Sequence, residues 1–180
     1  MKHFGFAHRF PTLRENLQVY AVVAVPLYAW TILWLFWEVP SWLNFLTLGE
    51  ILPIFAYALT TNLLESLLIL AGLNIFCLLL PKHWFRDLYV ARSFLFILPG
   101  LSYLMYFASL FRNEVDPPPS LLVWLPVILV LSFAVGVFLS RHLALRNYVE
   151  RIADRLTVFL YLIVPLSILS FVLVIVRNVG

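Results

Sequence analysis

The residues of this chain best placed to do chemistry stand together in Thr60-Thr61-Asn62-Leu63-Leu64-Glu65-Ser66, near the middle of the apolar stretch Ile51–Leu80. An acid surrounded by Leu, Ile, Ala and Phe on both sides is costly in any fold, and more so in lipid, where such residues mark functional sites. At 100° per residue, Tyr57, Thr61, Glu65 and Gly72 share one face of a helix, with Asn62 at its edge. Small and polar residues on one stripe are what helices use to meet inside a membrane. The hydroxyls at matching depth are Tyr28, Thr31, Ser102, Tyr106, Ser132 and Ser167. Of these, Ser102 and Tyr106 form a stripe of their own. The expectation is an intramembrane polar site of Glu65, Asn62, Thr61, Ser102 and Tyr106.

Other chemistries lack their residues. His3, His8, His83 and His142 all fall in polar ends or connections, so bis-His haem ligation between spans is not expected. The lone Cys77 offers neither a disulfide framework nor a zinc set. His83 and Asp87 are four apart, but in Pro81–Arg92 they read as a solvated turn beside the membrane. There is no phosphate-binding glycine loop and no Gly-x-Ser-x-Gly. Catalytic residues, metal ligands, cofactors and nucleic acid are therefore not expected.

The elements that must position Glu65 follow from composition. Hydrophobic residues make up 63% of the 180, charged residues 12%, and mean hydropathy is +0.98, which is the profile of an integral membrane protein. Five apolar segments emerge: Leu17–Trp37, Ile51–Leu80, Ser93–Phe111, Leu121–Ser140 and Thr157–Val176. Each is long enough for the roughly 20 residues a span requires. Lys2, Arg9 and Arg14 precede the first. Lys82, Arg86 and Arg92 lie between the second and third, and Arg141, Arg146, Arg151 and Arg155 between the fourth and fifth. These ten of the 12 basic residues fall on one side, leaving Arg112 and Arg177 opposite. The positive-inside rule puts that side in the cytoplasm.

The expected fold is an all-α bundle of five transmembrane helices, N-terminus in and C-terminus out. Residues 1–16 form a cytoplasmic segment, 17–176 one membrane domain, and 177–180 a short external tail. Trp30, Trp34 and Trp37 share one face of the first span and read as an interfacial belt. Between the fourth and fifth spans, Leu145, Val149, Ile152 and Leu156 recur at helical spacing, opposite Arg146, Asn147, Glu150 and Asp154. This predicts a separate amphipathic helix on the cytoplasmic face. Its Arg146, Glu150, Arg151, Asp154 and Arg155 would meet anionic headgroups or a protein partner.

Together these features suggest a non-enzymatic integral subunit, or binding partner, of a larger complex in the cell (inner or plasma) membrane. The alternative is a carrier or channel component that uses Glu65 as a protonatable mid-membrane site for proton- or ion-coupled transport.

Overall fold

The computed structural model describes residues 10–111 and 119–179. Lys2, Arg9, Arg112, His3 and His8 lie outside that set. All regular structure among the described residues is helical, in five long helices: α1 (Leu13–Trp42), α2 (Leu48–Leu79), α3 (Tyr89–Leu110), α4 (Pro119–Leu139) and α5 (Leu143–Val179). Two short 3-10 turns, Lys82–Trp84 and Arg86–Leu88, join α2 to α3. Helices α1, α2 and α5, and the stretch Lys82–Leu110 that contains α3, are long and apolar enough to cross a membrane, and α4 adds a shorter apolar stretch, Val123–Leu139.

Two of the starts are set by the same local device. Thr12 and Glu15 cap α1: the Glu15 carboxylate accepts from the Thr12 N–H at 2.7 Å and from its hydroxyl at 2.9 Å. Thr47 and Glu50 repeat this at α2, both contacts at 2.8 Å. Each is a Thr-x-x-Glu capping box, which satisfies donors that the first helical turn leaves without partners.

Helix α1 is the centre of the bundle. Six consecutive residues, Val19–Ala24, are buried, so this part of α1 has neighbours on every side. Helices α2, α3 and α5 all pack on α1, and α4 packs on the far side of α3. The α3–α4 contact is made close by glycine. A Cβ on Gly136 would stand 3.4 Å from Leu95 Cβ, and one on Gly100 would stand 3.0 Å from Leu129 Cδ2. Small residues that let two backbones approach are what lipid-embedded helices use in place of a hydrophobic drive. Gly72, expected on a contact stripe of α2, has nothing within 4 Å of such a Cβ. The close glycine contacts are on α3 and α4 instead.

One expected element is revised. The segment after α4 is no separate helix: α5 runs 37 residues without a break, about 55 Å at 1.5 Å per residue. No Gly or Pro interrupts it before Pro165, so nothing in the sequence stops the amphipathic turns from continuing into the apolar ones. The periodicity itself holds: Val149 and Ala153 are buried, while Arg151, Asp154 and Arg155 are exposed.

Candidate functional site

A hydrogen-bonded seam links α1, α2 and α5 through the middle of the bundle. The Tyr28 hydroxyl, on α1, lies 2.6 Å from the Ser167 hydroxyl on α5 and 3.2 Å from the Leu59 carbonyl on α2. Ser167 donates to the Ile163 carbonyl at 2.6 Å, so the single Tyr28 proton is shared between the Ser167 hydroxyl and the Leu59 carbonyl. Thr31 donates to Asn62 Oδ1 at 3.1 Å. Ser66 donates to the Leu63 carbonyl at 3.0 Å and approaches Tyr20 Oη at 3.4 Å. Each such bond contributes about 1 kcal/mol net, and losing one partner costs more than that, because the other is left unpaired in an apolar interior. Two buried atoms of the same turns of α2, Thr60 Oγ1 and Asn62 Nδ2, have no hydrogen-bond partner among the described residues.

Glu65 is not part of this seam. Asn62 and Ser66 turn inward, while Thr61, Leu64, Glu65, Leu67 and Leu68 are exposed on the outside of the bundle. The inward stripe of α2 passes through Leu59, Asn62, Ser66, Leu73 and Cys77. It is rotated by about one residue, or 100°, from the stripe that Tyr57, Thr61 and Glu65 define. The interior supplies partners for an amide and a hydroxyl, with Thr31 on Asn62 and Tyr20 beside Ser66, and these fix which face of α2 turns inward.

The expected five-residue site is thus not assembled. Ser102 and Tyr106 are exposed on α3, and neither makes a hydrogen bond with Glu65. Helix α3 turns Ile97 and Leu101 into the core of the bundle and Gly100 toward α4. Thr61 donates back to the Tyr57 carbonyl of its own helix at 3.0 Å, and the Tyr57 hydroxyl pairs with Asn178 at the end of α5. Of the five, Asn62 alone joins the interior network. Tyr20, Tyr28, Ser66 and Ser167 do most of the joining. The hydroxyls of Tyr28 and Ser167 were legible as candidates, but they meet each other, the α2 backbone at Leu59 and the α5 backbone at Ile163, rather than the acid of α2.

The end of the bundle that carries α1's first turn is organised differently. Arg86, between α2 and α3, reaches the Glu15 carboxylate at 2.9 Å. Burial works against the Glu15 charge, but the Thr12 N–H and hydroxyl and the Arg86 guanidinium outweigh it and hold this carboxyl below the usual carboxylate range. Asp154, on α5, accepts from Arg14 at 3.2 Å and from Gln18 at 3.0 Å, and these bonds hold its carboxyl down too. Arg146 and Glu150 pair along α5 at 2.8 Å. Arg92, counted from the sequence as a connection residue, is buried in the first turn of α3. It donates to the His83 carbonyl at 2.8 Å and to the Ser140 hydroxyl at 3.1 Å, so it ties the α2–α3 connection to the end of α4. Arg151 and Arg155 are exposed.

Two cavities adjoin here. One, of about 480 Å³, lies among α1, α5 and the start of α3 and is lined mainly by charged side chains. The other, of about 440 Å³, runs between α1 and α5 along Leu17, Leu160, Tyr161, Val164 and Pro165. Arg14, Gln18 and Asp154 line both. Among the described residues, no three His, Cys, Asp or Glu side chains come together as a metal ion would require.

These features define the class: an all-helical protein with four helices suited to crossing a membrane, an internal polar seam and a charged end. Set against known proteins, the chain matches no family model, no curated sequence and no solved structure.

Proposed function

We propose that this protein is a non-enzymatic, multi-pass subunit or binding partner of a larger complex in the cell (inner or plasma) membrane. In this reading α4 crosses as a fifth span, the N-terminus is cytoplasmic and Gly180 lies outside. The orientation is supported by the gathering of Arg14, Arg86, Arg92 and Arg146 at one end of the bundle, where they pair with groups on α1, α4, α5 and the α2–α3 connection. That end would face the cytoplasm.

The observation that carries the subunit reading is the outward face of α2. Glu65 stands in the middle of a 32-residue helix, exposed between exposed leucines, and makes no ion pair or hydrogen bond with the described residues of its own chain. A carboxyl on a lipid-facing surface is costly unless something outside the chain covers it. A polar or basic group on a second membrane protein would do so, with Leu64, Leu67 and Leu68 packing around the contact. Glu65 lines none of the cavities described above, so the carrier reading gains no pathway from the arrangement of the helices.

The test places a photo-crosslinking amino acid at Leu64 or Leu68 and irradiates intact membranes. The expected product is an adduct with a different membrane protein, identified by mass spectrometry. Adducts with lipid only, or with a second copy of this chain only, would count against the proposal.

A further inference from the structure

The two adjoining cavities between α1 and α5 match the two halves of an amphiphile. The charged cavity is lined by Arg14, Arg146 and Arg151 and by Glu15, Asp87, Glu150 and Asp154, so both signs are present in near balance. Most of these charges are taken: Arg14 by Asp154, Glu15 by Arg86, Arg146 by Glu150. Asp87 and Arg151 make no ion pair or hydrogen bond with the described residues, and both are exposed. Asp87 acts on the Arg92 guanidinium only through space, so one charge of each sign without a direct contact faces one cavity, which suits a zwitterion. A purely anionic group would meet the carboxylates, and a purely cationic one the arginines.

The second cavity points to what the zwitterion is attached to. It starts at the same Arg14, Gln18 and Asp154 and continues along the apolar turns of α5 from Thr157 to Pro165, about 12 Å of helix. Its lining is almost wholly apolar below that junction, and it lies between two helices suited to crossing a membrane. A polar cavity continuous with an apolar groove at the edge of a bilayer fits a lipid, headgroup in one and acyl chain in the other.

We infer that the protein binds one phospholipid with a phosphoethanolamine headgroup, its phosphate on Arg151, its ammonium on Asp87, and one acyl chain in the α1–α5 groove. Guanidinium matches phosphate through paired N–H donors. A primary ammonium offers three N–H donors to a carboxylate, whereas a quaternary choline offers none and is held instead by aromatic faces. The orientation proposed above decides only which leaflet supplies the lipid.

The test purifies the full chain in mild detergent from membranes that contain phosphatidylethanolamine, phosphatidylcholine and phosphatidylglycerol, then reads bound lipid by native mass spectrometry. The expected result is one phosphatidylethanolamine per chain, enriched over its share of the extracted lipid. Asp87→Asn and Arg151→Gln, both at exposed positions, should each lower that retention about tenfold, as expected for loss of a charge-assisted contact. Leu17→Trp, which narrows the mouth of the groove from an exposed position, should lower it as well, and water-soluble glycerophosphoethanolamine should fail to displace the lipid. Retention in proportion to the bulk mixture, or enrichment of phosphatidylglycerol or phosphatidylcholine, would overturn the inference. Retention unchanged in both charge variants would do the same, and so would displacement by the free headgroup.

Discussion

Glu15 and Glu65 are the same side chain in opposite circumstances. Glu15 stands two residues ahead of the apolar run of α1 and is bound by Thr12 and Arg86. Glu65 stands in mid-helix on the outside of α2, and no described residue of this chain pairs with it. At the charged end the chain pairs most of its own charges: Arg14 with Asp154, Arg86 with Glu15, Arg92 with His83 and Ser140. Along the outer face of α2 it leaves a carboxyl open. Most charges at one end are matched within the chain while the carboxyl at mid-helix is not, and on that contrast a second protein is proposed for the missing contact.

Breaking the closed end should have the largest effect. Replacing Arg92 with Met leaves the buried Ser140 hydroxyl and the part-buried His83 carbonyl without their shared donor. It should cost about 3 kcal/mol, read as a lower unfolding midpoint in detergent. An unchanged midpoint would mean that the end is not held together by its buried arginine. Gly136→Leu should come next, at about 2 kcal/mol, because a Cβ there already touches Leu95 and the rest of a leucine would have to wedge α3 and α4 apart.

Glu15→Gln removes an ion pair and weakens a cap, for about 1 kcal/mol after allowance for its partial exposure to solvent. Its pH dependence has a definite sign. The folded-state carboxyl titrates below its unfolded value, so its stabilisation is present above about pH 4 and is lost as acid protonates the folded form. The wild-type midpoint should hold level from neutral pH to about 5 and then fall, and the Gln variant should fall less steeply. Gly72→Ala, on the open side, should change the midpoint least, by about 0.5 kcal/mol and upward, since the added methyl meets nothing and favours the helix. A clear loss there would show that α2 packs more closely than its surroundings indicate.

Much of this arrangement was legible in the sequence. Mean hydropathy marked the apolar segments, and the 3.6-residue period marked the amphipathic turns of α5, because both depend on local composition and spacing. The helices themselves start earlier than the apolar runs, at the Thr12–Glu15 and Thr47–Glu50 capping boxes, because a cap depends on polar residues that hydropathy does not count. Rotation about the helix axes was not legible. Glu65 and Ser66 are neighbours, and which of them faces inward depends on α1, where Tyr20, Tyr28 and Thr31 supply the partners that a hydroxyl and an amide can use. The role of Arg92 was hidden for a similar reason, since its acceptors come from the α2–α3 connection and from the end of α4.

The central claim is that Glu65 serves a contact outside its own chain. Its most direct test compares Glu65→Leu with wild type in two states: purified alone, and extracted gently with whatever binds it. The account predicts that the isolated variant keeps or slightly raises its unfolding midpoint while co-purifying membrane proteins fall away. A marked drop in the midpoint of the isolated chain, or an undiminished set of co-purifying proteins, would contradict it.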